Sequence, residues 1–119
     1  MLEFICYPKC STCQKARKWL DAHNIEYTER NIKEEAPSYE ELKKILENSA
    51  LPIKKLFNTS GILYRQMGLK DKLKLMTEDE MLRLLSTDGM LVKRPIISGN
   101  GTALVGFKED EWTEKLFGI

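Results

Sequence analysis

Histidine is almost missing from this chain, and proline and cysteine are scarce: one, four and three residues respectively in 119. Structural zinc requires four ligands. The lone His23 falls at the far end of a predicted helix from the cysteines, where it reads as a surface or helix-terminal residue. Charge of one sign is also lacking: 19 basic against 18 acidic residues leave a net +1, so no global field draws in nucleic acid and any anion site must be local. No apolar run approaches a membrane span, and Met-Leu-Glu-Phe-Ile-Cys lacks the basic start and longer apolar stretch of a secretion signal. The expected location is therefore the cytoplasm. In that reducing compartment three cysteines make poor structural staples, which favours catalysis, sensing or metal. No phosphate loop, Gly-rich cofactor loop, paired catalytic carboxylates or serine triad is present, so neither a nucleotide nor a metal cofactor is expected.

What is present is Cys10-Ser-Thr-Cys13, set between an apolar strand-like run and a helical pattern. Residues three apart share a face of a first helical turn, so Cys13 can swing onto Cys10 and close a small disulfide ring. At or beside the N-cap, Cys10 meets unpaired backbone N–H groups and the positive end of the helix dipole, both of which favour a thiolate. Lys9, Lys15 and Arg17 add positive charge nearby. A free cysteine of pKa ~8.5 is about 3% thiolate at neutral pH, and lowering it to ~7 makes roughly half of it reactive. That difference corresponds to about 2 kcal/mol. The competing reading is a chance spacing with both thiols buried and inert, but strand, dithiol and helix follow here in the order a redox motif needs.

Leu2 to Tyr7 reads as a buried strand, Ser11 to about His23 as a helix stopped by Asn24, and Ile25 to Ile32 as a second strand. Strand, helix and strand in this order make the two strands parallel neighbours. The middle of the chain is helical. Ser38 to Glu41 and Thr77 to Glu80 are capping boxes, Pro52 opens a short helix through Phe57, and Ile62 to Met67 adds a turn or two ended by Gly68. Met67, Met76, Met81 and Met90, with Phe57 and Tyr64, fit helical core positions, and Lys70 to Lys74 a solvated face. After Pro95 the period becomes that of strands: Ile96 to Ser98 and Thr102 to Val105 flank an Asn-Gly hairpin turn, and a last helix offers Trp112, Leu116 and Phe117 to the core.

Reassembled, this is an α/β chain of thioredoxin-like topology: one domain over 1–119 with a four-stranded mixed sheet, flanking helices, and a helical insertion at about 33–92 between strands two and three. In such a fold Pro95, at the start of strand three, faces the dithiol in a cis bond and Arg94 points its guanidinium into the same cleft. A trans strand-initiating proline beside a surface arginine is the alternative. Cys6, Cys10 and Cys13 also match the Cys-x-x-x-Cys-x-x-Cys string of radical enzymes with an iron–sulfur cluster, but the chain is far too short for their barrel, and Cys6 lies inside a strand pattern where its side chain belongs to the core.

Tyr7-Pro8-Lys9-Cys10-Ser11-Thr12-Cys13, Asn58-Thr59-Ser60-Gly61, Leu91-Val92-Lys93-Arg94-Pro95-Ile96-Ile97 and Gly106-Phe107 together resemble the arsenate-reductase-like group that includes the Spx and MgsR regulators, and the likeness covers essentially the whole chain. The resemblance implies a thiol-disulfide redox protein in which Cys10 is the nucleophile and Cys13 the resolving thiol, the two forming a redox disulfide. Thr12, Arg94 and Pro95 would bind the anion or substrate, which is arsenate or a mixed disulfide, with glutathione, glutaredoxin or thioredoxin as co-substrate. Glutaredoxin-linked arsenate reductases hold the oxyanion with three arginines; Arg94 matches one, and Asn58 and Gly106 stand at the other two. Each such contact is worth about 1.5–3 kcal/mol, so the resemblance implies weak arsenate capture unless Lys54, Lys55 or Arg65 faces the cleft. The alternative it implies is a redox-sensing regulator that binds the alpha subunit of RNA polymerase. In those regulators that contact includes a glycine in the helical insertion, where this chain has Pro52.

Overall fold

The computed structural model describes residues 2–117. Four strands, β1 (Leu2–Cys6), β2 (Tyr27–Asn31), β3 (Ile96–Gly99) and β4 (Thr102–Val105), form one sheet in the order β2-β1-β3-β4. β2 runs parallel to β1, while β3 is antiparallel to both β1 and β4. Six helices flank it among the described residues: α1 (Ser11–Ala22), α2 (Tyr39–Ser49), α3 (Ile62–Gln66), α4 (Leu69–Lys72), α5 (Glu78–Leu85) and α6 (Glu109–Phe117). This is the mixed-sheet, helix-flanked thioredoxin-like architecture expected from the strand and helix periods.

The two-residue alternation of a strand divides the core. Phe4 and Cys6 with Ile97 and Leu104 meet Cys13, Ala16, Trp19 and Leu20 of α1 and Trp112 of α6 on one face. Ile5, Ile96 and Ala103 point to the other, where they pack on the helices of the insertion through Leu42, Ile45, Leu82 and Leu85. Both capping boxes form: Ser38 and Thr77 accept from the backbone N–H of Glu41 and Glu80, whose carboxylates reach back to the cap N–H groups. The hairpin turn places Asn100 and Gly101 at φ 53° and 77°, left-handed values that the Asn-Gly pair tolerates.

Several boundaries move for identifiable reasons. β1 ends one residue early because the Tyr7 N–H leaves the ladder to donate to Cys13 Sγ at 3.3 Å. β2 starts late because the Ile25 N–H closes the end of α1 on the Leu20 carbonyl, and Asn24 turns there at φ 55°. Phe117 is 42% exposed rather than core, lying at the edge of the Trp19 and His23 stack. Met90 lines a cleft instead of the interior. Among the described residues no helix is long and apolar enough to cross a membrane.

Gly89 locks the insertion against the sheet. A Cβ built there would stand 1.8 Å from the Ile32 carbonyl oxygen, backbone that cannot step aside. Gly89→Ala should therefore lower unfolding free energy by about 3 kcal/mol, whereas Gly101→Ala, with open space but positive φ, should lose only about 1 kcal/mol. Urea unfolding of the two variants checks this, and a Gly89→Ala protein as stable as wild type would refute the close contact.

Candidate active site

The chain leaves β1, turns so that the Cys10 N–H donates to the Tyr7 carbonyl at 2.9 Å, and enters α1 with the Gln14 N–H donating to the Cys10 carbonyl at 3.0 Å. Cys10 is the N-cap, with extended φ and ψ of −83° and 125°. Its sulfur makes no short capping bond of the kind Ser38 and Thr77 make. Over the longer reach of sulfur it faces the N–H groups of Cys13 and Thr12, the Cys13 thiol and the Arg94 guanidinium. Partial burial works against the anion, and these donors outweigh it, so the Cys10 thiol titrates below the ordinary range.

Cys13 is the opposite case. Fully buried on the inner face of α1, its thiol donates to the Cys6 sulfur, and burial and the neighbouring Cys10 sulfur add to that hold on the proton, outweighing the Tyr7 N–H. Its pKa is pushed far above the usual thiol range. No disulfide joins the three cysteines in this structure.

Arg94 is half-buried, its guanidinium 5.2 Å from the centre of the Tyr7 ring. Among the described residues its Nε and Nη1 atoms are the buried side-chain nitrogens that no acceptor meets. The Arg94-Pro95 bond is cis. A cleft of about 1010 Å³ opens over this corner, lined by Cys10, Thr12 and Arg94 together with Asn58 and Gly106. Lys54, Lys55, Lys93 and Lys108 also line it, against one carboxylate, Glu111. Pro95 is buried and stands outside that lining; its carbonyl accepts from the Gly106 N–H at 2.8 Å.

The insertion supplies one wall because it is stitched to the segment before β3. Phe57 pairs with Val92, the Asn58 N–H donates to the Leu91 carbonyl at 2.8 Å, and the Lys93 N–H to the Leu56 carbonyl at 2.7 Å. The sequence expectations thus meet in one place for Cys10, Thr12, Arg94, Asn58, Gly106, Lys54 and Lys55, and not for Arg65, which lies outside the lining. Lys93 and Lys108 were not anticipated; each is next to or near a singled-out residue, Arg94 and Gly106, and that proximity was the only signal. Arg17 does not serve Cys10. Two helical turns on, it pairs with Glu29 at 2.9 Å and extends Nη2 to within 3.7 Å of Cys6 Sγ.

Residues 6–115, the span that carries this corner, match the ArsC family. The chain belongs to the ArsC family. It is 54% identical over 113 residues to the uncharacterised protein YusI of Bacillus subtilis, covering 95% of this chain and 96% of that one. With the regulatory protein MgsR of the same organism it shares 36% over 110 residues, 92% of this chain and 86% of that one. An ArsC family related protein from Bacteroides fragilis superposes with a TM-score of 0.94 at 54% identity, covering 97% of this chain and 96% of that one. The resemblance seen in the motifs and the thioredoxin-like fold are both borne out.

Within this ArsC-family site, alkylation of Cys10 should follow a single titration with its midpoint below the ordinary thiol value of ~8.5, while Cys13 stays unmodified in the native protein. Arg94→Met should move that midpoint up. Iodoacetamide rates measured across pH, with the modified peptide identified by mass, check this; a midpoint at or above the free-thiol value would remove the thiolate.

Proposed function

We propose that this protein is a cytoplasmic thiol-disulfide oxidoreductase that acts on mixed disulfides of a small anionic thiol, of which glutathione is the expected example. The observation that carries this reading is a half-buried Cys10 at the N-cap of α1 with Arg94 aimed at it from the wall of a basic cleft. Cys10 thiolate attacks the glutathione sulfur, the disulfide breaks, and the other thiol leaves as its thiolate. Cys13 then attacks Cys10 Sγ, glutathione leaves carrying the Cys13 proton, and the Cys10–Cys13 disulfide remains for a glutaredoxin, thioredoxin or second thiol to reduce. Cys13 holds its proton chiefly through Cys6 and burial and to a lesser degree because Cys10 carries charge; forming the mixed disulfide removes that last contribution and so eases deprotonation of the resolving thiol. Arg94, Lys54 and Lys55 offer cations to the glutathione carboxylates, and the Thr12 N–H faces the reacting sulfur.

Arsenate is the weaker substrate in this reading. Asn58 and Gly106 line the same cleft as Arg94, so one guanidinium faces the cleft where the resemblance implies three. Gly106 sits at φ 78° with Lys93 Cε 3.3 Å from a built Cβ, a backbone that resists any side chain. Cys10→Ser should abolish turnover of a glutathionylated peptide, and Cys13→Ser should accumulate a Cys10–glutathione adduct visible by intact mass. Equal activity of the two variants would refute the division of roles, and arsenate turned over faster than the glutathionylated peptide would refute the substrate class.

A second reading draws on the kinship with MgsR, a regulatory protein: the redox state of Cys10 and Cys13 changes a binding surface on the helical insertion. Pro52, exposed at the start of the Ile53–Leu56 turn, marks that surface. Pull-downs from cytosol with oxidised and reduced protein test it, and absence of RNA polymerase alpha subunit from both would end it.

A further inference from the structure

Cys6 is the nucleophilic group that the proposed chemistry leaves unused. It is wholly buried at the end of β1, facing α1 in the same apolar cluster as Cys13, where no substrate reaches it. Yet it is not surrounded like an inert core thiol. Arg17 Nη2 stands 3.7 Å from its sulfur, and the same guanidinium is held in place by two bonds of 2.9 Å to Glu29. Cys13 packs in the same cluster, and both the Cys6 and the Cys10 sulfurs are close enough to help hold the proton on its thiol.

The geometry points to a buried thiol relay in which Cys6 exchanges with the Cys10–Cys13 disulfide to give a Cys6–Cys13 disulfide and a free Cys10. In this step Cys6 thiolate attacks Cys13 Sγ, the Cys10–Cys13 bond breaks, and Cys10 departs as a thiolate; nothing is oxidised or reduced overall, and no outside reactant is needed. Both ends are prepared for the negative charge. Arg17 balances it on Cys6 before the exchange, and the N-terminus of α1 with Arg94 receives it on Cys10 afterwards. In the reduced protein, hydrogen bonding from Cys13, with Arg17 nearby, draws the Cys6 thiol below its ordinary titration range against burial and Glu29; once Cys13 is in the disulfide that bond is gone, and Arg17 is the group that stays beside Cys6 to favour its anion. The oxidised protein then carries its disulfide in the core and presents a reactive Cys10 in the cleft again.

The inference rests on the proposed Cys10 and Cys13 chemistry, and the chain supplies a readout that separates the two. Trypsin cuts after Lys9 and Lys15, leaving Cys6 on the peptide 1–9 and both Cys10 and Cys13 on 10–15. Wild-type protein oxidised with diamide, acid-quenched, labelled with N-ethylmaleimide and digested should yield peptides 1–9 and 10–15 joined by a disulfide, with the label on Cys10. Cys6→Ala should lose that species, and labelling of Cys10 in its oxidised form should fall to background. If Cys6→Ala does not fold, the wild-type peptide map decides alone. Only an internal Cys10–Cys13 bridge would overturn the relay and leave the proposed function standing; a bridge from Cys6 to Cys10 would overturn the relay and also the resolving role given to Cys13. No bridge of any kind, in protein whose Cys10 labels readily before oxidation, would overturn both.

Discussion

A sulfur occupies the place where a helix N-cap oxygen usually stands, and the rest of the site is arranged around that substitution. Ser38 and Thr77 show the ordinary solution, an oxygen that takes the N3 amide in a short hydrogen bond and lowers the cost of starting a helix. Cys10 gives up that bond and receives the same amide dipoles at greater reach, so the unmet donors of α1 are left to stabilise an anion. A helix start is a weak place to hold charge unless it is anchored. Here the anchor is β1, which lies between β2 and β3 and ends at Cys6, immediately before Tyr7, whose carbonyl opens the turn that closes at Cys10.

The two faces of the sheet divide the work. On one, α1 and α6 bury Cys6 and Cys13 among aromatic side chains, where Trp112 also fixes the chain before α6 by donating to the Gly106 carbonyl at 3.0 Å. On the other, the insertion packs through Leu42, Ile45, Leu82 and Leu85 and returns to the site at Phe57 and Asn58. The cleft is thus made by segments far apart in the chain, with hydrogen bonds between 56–58 and 91–93 holding its walls together. Its charge is spread over exposed lysine ammonium groups around a single half-buried arginine. A compact oxyanion is best held by planar guanidinium forks, whereas separated point charges suit an elongated ligand with carboxylates at a distance from its sulfur.

The three cysteines illustrate how far identical side chains diverge under different surroundings. Cys10 loses its proton easily, Cys13 holds it firmly, and Cys6 stands buried beside a guanidinium. The contrast depends on position, not on the local sequence: Arg17 was expected to serve Cys10, but the phase of α1 carries it over Cys13 to the strand beneath. Phe117 and Met90 show the same limit on the apolar side, since a period of 3.6 places a residue on a face without saying whether anything covers that face.

Local chemistry was legible in the sequence wherever one short stretch decided it. The capping boxes, the Asn-Gly turn, the strand alternation and the Cys10 to Cys13 spacing each depend on residues a few positions apart, and from them the thioredoxin-like topology could be read and Cys10 singled out as the candidate thiolate at a helix start. Contacts between distant segments were decided only by tertiary structure, because loop closure and packing set them: which lysines border the cleft, that Asn58 and Gly106 line it with Arg94, that Pro95 is buried outside its lining, and that Arg17 attends Cys6 rather than Cys10. The number of thiols is written in the chain, but the proton each one keeps depends on dipoles and charges that only the folded backbone brings within reach.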